Sequence, residues 1–190
     1  MLLKINEYKQ ILKEKYKKSG STKANSRYLH SLSVGKKAVE IAQRFNFYVD
    51  INKLEIAAIL HDYAKFENMD KFTQIVQDYN LDKSILKENF KILHALLGPY
   101  IIKKELGLDD KEILNAIKYH ATGSLDMDIY AEILYVADVC EDLRVGEGFT
   151  KVKEYSKTDF KKAIIEKIEF SLKKNDTELN RKLLKKYTEV

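Results

Sequence analysis

The chain has 190 residues with one proline, one cysteine and seven glycines, and 34 Lys+Arg stand against 29 Asp+Glu for a formal net charge of +5. That length suits one domain, or one domain with a small appendage, able to bury a real core. A lone cysteine excludes an internal disulfide framework, and no apolar run approaches the roughly 20 residues of a membrane span.

The first predicted element is "MLLKINEYKQILKEKY", apolar at every third or fourth position with lysines and glutamates between. This predicts an amphipathic helix over 2–17 rather than the apolar region of a signal peptide, and with the reduced cysteine it leads us to expect a soluble cytoplasmic protein. The loop-like "KKSGSTKANS" at 17–26 follows. Helices are then predicted over 26–46 with Ser26 as its cap, 51–66 with Asp50 as its cap, 69–79, 90–105, 110–120 with Asp109 and Glu112 at its start, and 128–143. Pro99 predicts that the fifth of these begins or kinks near Gly98, which leaves His94 at a bend. "RVGEGF" at 144–149 closes a core of about 26–146, and helices over 158–174, starting at Thr158, and 177–188 complete the chain. No alternating apolar run resembles a strand, so an all-α bundle forming one domain over 1–190 is expected.

Charge is uneven along this order. Residues 1–150 carry 22 Lys+Arg and 22 Asp+Glu, whereas 151–190 carry 12 against 7. The basic C-terminal helices are amphipathic and suit covering the core or mediating a homodimer. Only Arg27, Arg44, Arg144 and Arg181 are arginine, although planar recognition of phosphate or guanine favours arginine. The lysines therefore read as solvated surface, and a nucleic-acid partner is not expected.

All four histidines, His30, His61, His94 and His120, stand in or at the end of predicted helices in apolar surroundings: "RYLHSL", "AILHDY", "KILHAL" and "AIKYHATG". Asp62 adjoins His61, and Asp138 interrupts the most apolar helix, "ILYVADVCED". Each histidine taken singly fits a hydrogen-bonded core residue, and each aspartate a solvent-facing one. Together they strain that reading, because a buried carboxylate costs several kcal/mol unless paired or bound to a cation. Imidazole with carboxylate and no thiolate is a ligand set for zinc, manganese or iron. Cys140, by contrast, reads as a small core residue. The tyrosines read as amphipathic packing, with Tyr63 and Tyr119 near enough to the proposed ligands to meet a base.

The ordered words "RYLHSLSVGKKAVEIA", "AAILHDYAKF", "AIKYHATG" and "EILYVADVCEDLR", from about Arg27 to about Arg144, resemble the HD-domain metal-dependent phosphohydrolases. More narrowly, they are similar to the bacterial YqeK-type proteins, described as symmetrical bis(5'-nucleosyl)-tetraphosphatases. The resemblance implies an HD-domain helical bundle with a dinuclear metal site between helices, probed by a small nucleotide substrate and holding two ions, iron above all, with manganese or another transition metal as alternatives. His30, His61, Asp62 and Asp138 would hold one ion, and His94, His120 and the bridging Asp62 the other. Two ions about 3.5 to 4 Å apart clamp a phosphate and turn a bridging water into hydroxide.

A polyphosphate also calls for cations. Lys65, four residues after His61 and three after Asp62, falls on their face and is the candidate to neutralise phosphate or aid the leaving group alongside Asp62. Arg144, six residues past Asp138, and Arg27, just before His30, are candidates to grip phosphate, with a hydroxyl from Thr122 and a close backbone amide at Gly123. Ala121 and Asp142 depart from the family's pattern of a second threonine and a proline, and Asp142 is expected to add negative charge near Arg144. The activity implied is cleavage of diadenosine tetraphosphate to two ADP. Two other readings stay open: a phosphohydrolase of another nucleotide, such as a nucleoside monophosphate or a guanosine tetraphosphate-type alarmone, and a non-catalytic nucleotide- or RNA-binding module.

Overall fold

A computed structural model describes residues 2–144 and 146–189; Val145, inside the stretch expected to close the core, lies outside them. Ten helices follow in chain order among the described residues: α1 (Ile5–Lys18), α2 (Ala24–Arg44), α3 (Ile51–Leu60), α4 (Met69–Asp78), α5 (Phe90–Leu106), α6 (Lys111–Tyr119), α7 (Ile129–Cys140), α8 (Thr150–Tyr155), α9 (Phe160–Lys174) and α10 (Glu178–Thr188). Short 3₁₀ turns lie at Lys83–Lys87 and Glu147–Phe149. The expected all-α architecture is what forms.

The bundle is organised around α3 and α7. In α3 every residue from Ile56 to Leu60 is buried, as is Leu54, and in α7 only Ile129, Glu132 and Asp138 escape burial. A helix apolar on all sides must be surrounded. Accordingly α3 is flanked by α1, α2, α6 and α7, while α2 and α6 both pack on α7. On the outside α5 lies against α6, α4 against α5, and α8 and α9 against α7, with α10 on α9.

Several helix ends differ from expectation for local reasons. α2 begins at Ala24, so Ser26 lies in its first turn, where its hydroxyl donates to the Lys23 carbonyl at 3.0 Å. Asp50 does cap α3, accepting from the amides of Asn52 and Lys53. The cap of α6 is Asp110, which accepts from Glu112 and Ile113, while Asp109 pairs with Lys103 at 2.7 Å. Asp159 caps α9, because Thr158 turns its hydroxyl back to Glu154 at the end of α8, a helix the periodicity did not predict. α5 starts at its Asn89 cap and runs through Pro99 to Leu106, so His94 sits within a continuous helix and not at a bend.

The largest departure is at α3, which stops at Leu60 instead of reaching residue 66. Residues 61–66 follow as tight turns, with the Tyr63 amide on Leu60 O at 2.9 Å and the Lys65 amide on Asp62 O at 2.8 Å. His61 and Asp62 thereby leave the α-helical screw at the very place where two polar groups would otherwise have to enter the core.

The C-terminal helices cover the core, as one of their two expected roles required. Lys167 of α9 is buried, and its ammonium donates to the carbonyls of His120, at 3.0 Å, and of Tyr135, while lying 3.5 Å from the Tyr135 ring centroid. From α10, Leu183 lies against Gly123, which has φ +70° and whose added Cβ would come within 2.9 Å of Leu183 Cδ1.

Two outcomes follow from these packing arrangements. Gly123→Ala places a side chain in a left-handed conformation and drives it into Leu183; the expected loss is about 2 kcal/mol, read as a thermal midpoint lower by several degrees. Burial pushes the Lys167 ammonium down to about 7 from an ordinary 10.5. Between those values the unfolded chain holds a proton that the folded chain does not, so Lys167 makes stability rise with pH across that window. Thermal melts of wild type and Lys167→Met from pH 6 to 10 should show the wild type gaining on the variant as pH rises; a constant difference would refute this.

Candidate metal centre

Five helices and one turn bring the candidate ligands together. His30 comes from the middle of α2, His61 and His120 from the residues that end α3 and α6, His94 from the second turn of α5, Asp138 from the last turn of α7, and Asp62 from the turn after α3. The four imidazoles form a row, with ring centroids 5.2 Å apart for His30 and His61, 4.8 Å for His61 and His120, and 5.3 Å for His120 and His94. All four are buried.

Asp62 lies along this row and is 2% exposed. Its Oδ2 is 3.6 Å from His61 Nε2, while its Oδ1 is 2.9 Å from His94 Nε2 and 3.7 Å from His120 Nε2. Two trios result, His30–His61–Asp62 and Asp62–His94–His120, each with one donor atom per residue within 4.8 Å of the others. Asp138 joins the first trio, with Oδ1 3.1 Å from His30 Nε2 and 3.7 Å from His61 Nε2.

Outer contacts aim the ligand atoms. The Nδ1 groups of His61 and His120 each donate to a carbonyl three residues earlier, Ala58 and Ile117, both at 2.7 Å. A carbonyl can only accept, so the proton is on Nδ1 and the Nε2 lone pair of the neutral ring is left pointing inward. His30 Nδ1 lies 3.2 Å from Glu141 Oε1. The buried Nε2 of His61 has no hydrogen-bond partner, its nearest carboxylate oxygens lying 3.6 and 3.7 Å away, whereas that of His30 faces the Asp138 carboxylate. Orphaned lone pairs in the interior are costly unless a cation receives them, so these residues fit a metal.

The electrostatics agree with that fit. Burial pushes the His61 imidazole down to about 3 and also lowers His94, which keeps both rings in the ligating form. Burial works against the Asp62 carboxylate, yet the surrounding histidines and Lys65 hold it well below the ordinary range. Asp138 is likewise held low, burial being outweighed by His30, His61, Lys167 and Arg144. His30 runs the other way: burial disfavours its cation, but Asp138, Asp62 and Glu141 raise it on balance, so it would have to release a proton to ligate a metal.

Of the predicted cations, three reach the cluster. Lys65 Nζ is 3.3 Å from Asp62 Oδ1 and 3.1 Å from His94 Nε2, Arg27 Nη1 is 3.2 Å from Asp62 Oδ2, and Arg144 Nη2 is 3.0 Å from Asp138 Oδ1. Lys65 arrives by the turn after α3, not by the i+4 spacing of a helix. Thr122 and Gly123 do not join them. The Thr122 hydroxyl donates to Gly123 O, and the Gly123 amide donates to Tyr119 O at 2.8 Å, so the close backbone amide is already engaged in ending α6. Asp142 pairs with Lys37 at 3.0 Å rather than burdening Arg144. Cys140 is a buried core thiol, as expected. Tyr63 is buried with its hydroxyl on Glu105, which removes it from contact with a base.

Three supporting residues escaped the sequence reading. Glu141 is buried behind His30 and accepts from the Leu143 amide at 2.7 Å; its signal was the three-residue spacing from Asp138, which repeats a helix face. Lys167 holds the His120 carbonyl, and a lysine within "AIIEKIEF" was a detectable anomaly. Tyr16 of α1 donates to the Asp62 carbonyl at 2.8 Å and carried no distinguishing pattern.

Comparison with known proteins places this geometry in context. The HD-domain family model matches residues 27–143. The symmetrical bis(5'-nucleosyl)-tetraphosphatase of Bacillus subtilis (strain 168) is 38% identical over 153 residues, covering 78% of this chain and 81% of its own, and the protein of the same name from Halalkalibacterium halodurans is 36% identical with the same coverage. A solved structure described as a predicted HD-superfamily hydrolase involved in NAD metabolism, from Clostridium acetobutylicum, superposes with a TM-score of 0.78 at 28% identity, covering 93% of this chain and 97% of that one. The matched span runs from Arg27 to one residue short of Arg144 and contains all six ligand positions: the chain belongs to the HD-domain family, in its YqeK-type branch.

Proposed function

We propose that this chain hydrolyses dinucleoside tetraphosphates symmetrically, splitting diadenosine tetraphosphate into two ADP, as the names of its Bacillus subtilis and Halalkalibacterium relatives describe for those proteins. The observation that carries the reading is Asp62, whose Oδ2 faces His61 while its Oδ1 faces His94 and His120. His30, His61, Asp62 and Asp138 would hold one ion, and His94, His120 and Asp62 the second. We favour iron as the metal; the imidazole and carboxylate donor set supports it as one of several transition metals, manganese among them. The whole chain works as one domain, in the cytoplasm.

A pair of bound ions supplies Lewis acidity to a phosphate and lowers the pKa of water. The chain's own part is charge and orientation. Lys65, Arg27 and Arg144 surround the carboxylates and form a cationic rim for a polyanion. The nucleophile is water, so no protein side chain is consumed. A water oxygen bonds to a central phosphorus as the bond from that phosphorus to the other half's bridging oxygen breaks. The electron pair leaves on that oxygen, whose charge Lys65 offsets, and one proton passes to solvent. Glu141 and the carbonyls of Ala58 and Ile117 keep the imidazoles oriented throughout.

The direct test is anion-exchange analysis of products from purified, metal-loaded protein and diadenosine tetraphosphate: ADP alone is expected, and ATP with AMP would overturn the proposal. Asp62→Asn should cut turnover by about 10³-fold or more, the scale of losing a preorganised charged group, and lower bound metal per chain. Glu141→Ala should weaken metal binding about 10- to 100-fold in a metal titration, with Glu141→Gln falling between it and wild type.

A further inference from the structure

Two grooves open onto the metal centre, one at each end of the imidazole row. At the His30 end a cavity of about 370 Å³ is bordered by Lys23, Leu29, Glu141, Leu143 and Arg144. At the His94 end a cavity of about 280 Å³ is formed by Lys65, Phe72, Phe90, Lys91 and His94. Arg27 lines both. Because it also touches Asp62 Oδ2, the carboxylate shared by the two trios, Arg27 marks the midpoint between the grooves.

The two grooves differ in chemistry. The His30 end is edged by aliphatic residues, with Leu29 and Leu143 largely exposed. The His94 end is aromatic: Phe90 caps the groove with 51% of its surface exposed, braced edge-on by the buried Phe72 at a centroid distance of 5.9 Å. An exposed phenyl ring in one groove with Lys91, Lys65 and Arg27 combines a flat apolar surface with cations, two of which also contact the carboxylate shared by the trios. That pairing suits a nucleobase followed by its phosphates, since any base offers a π-face to an aromatic platform.

We propose that the Phe90 groove is a nucleoside subsite, stacking one base of the substrate, while the Leu29–Leu143 groove takes the other nucleoside. The inference rests on the dinucleoside tetraphosphate reading and deepens it. With a nucleoside seated at each end of the row and Arg27 between, the central phosphates lie over the shared carboxylate, and the cut falls between two equal halves. Phe90 is therefore a specificity determinant for substrates bearing a second nucleoside, and symmetry of cleavage follows from the positions of the grooves.

The test is steady-state kinetics on diadenosine tetraphosphate with metal-loaded wild type, Phe90→Ala and Phe90→Trp. Phe90→Ala should raise KM about 10-fold, the worth of one base–aromatic stack, while Phe90→Trp keeps KM near the wild-type value. Metal content and thermal midpoint should match wild type in both, since the ring is half exposed. If wild type releases only ADP but Phe90→Ala keeps KM within about twofold, less than the stack is worth, the groove assignment is wrong and the activity stands. If Phe90→Trp is as impaired as Phe90→Ala, stacking is also refuted. Failure of wild type to split the substrate would overturn both.

Discussion

The structure depends on a single buried carboxylate. Asp62 is 2% exposed, and an ionised group there is sustained only by what surrounds it. Histidines approach both of its oxygens, Arg27 and Lys65 add positive charge, and Tyr16 holds its backbone from the first helix. Removing any of these leaves a charge in the core short of a partner. The same requirement that makes Asp62 expensive for folding makes it suited to binding cations, so stability and function are set by one group.

The two helices that deliver the inner histidines end in the same way. α3 and α6 each stop one residue before a histidine, and each histidine donates from Nδ1 to the carbonyl three residues back. This uses a carbonyl that the helix end would leave unpaired and simultaneously fixes which nitrogen faces inward. It also directs the negative ends of two helix dipoles toward the place where cations would bind. α3 must therefore terminate at Leu60; a helix continued to residue 66 would keep the Ala58 carbonyl in an ordinary ladder bond and lose the ring's anchor.

How far this was legible in the sequence depends on whether a residue's partners were local. His30, His61, His94, His120, Asp62 and Asp138 stood out because polar groups inside apolar helices demand an explanation, and the all-α architecture followed from periodicity. Helix ends were less legible: Asp109 and Asp110 are equivalent on paper, and they are separated by their partners, Lys103 for Asp109 and Lys53 for Asp110. Thr122 and Gly123 looked like substrate contacts because a hydroxyl and a glycine follow a ligand, yet Gly123 is needed for its positive φ under Leu183, 60 residues on. Glu141, Lys167 and Tyr16 act through contacts distant in sequence, across 111, 47 and 46 residues. Local pattern could mark Glu141 and Lys167 as unusual but not say what they touch, and it did not mark Tyr16 at all.

These distant contacts bear on what counts as the catalytic unit. The family match spans 27–143, but Tyr16 lies before it and Lys167 and Leu183 after it. Tyr16 fixes the Asp62 backbone, Lys167 holds the carbonyl of His120, and Leu183 packs on the glycine that ends the same turn. A buried ammonium whose hydrogen-bond partners are carbonyls is costly, and α9 carries it in spite of that cost. The natural physical account is that the His120 turn gives up helical bonding where its ring faces Asp62, and the groups from α9 and α10 replace what it lost. The excess positive charge of the C-terminal region therefore divides by location: most of it is solvated surface, whereas Lys167 belongs to the framework of the candidate metal centre.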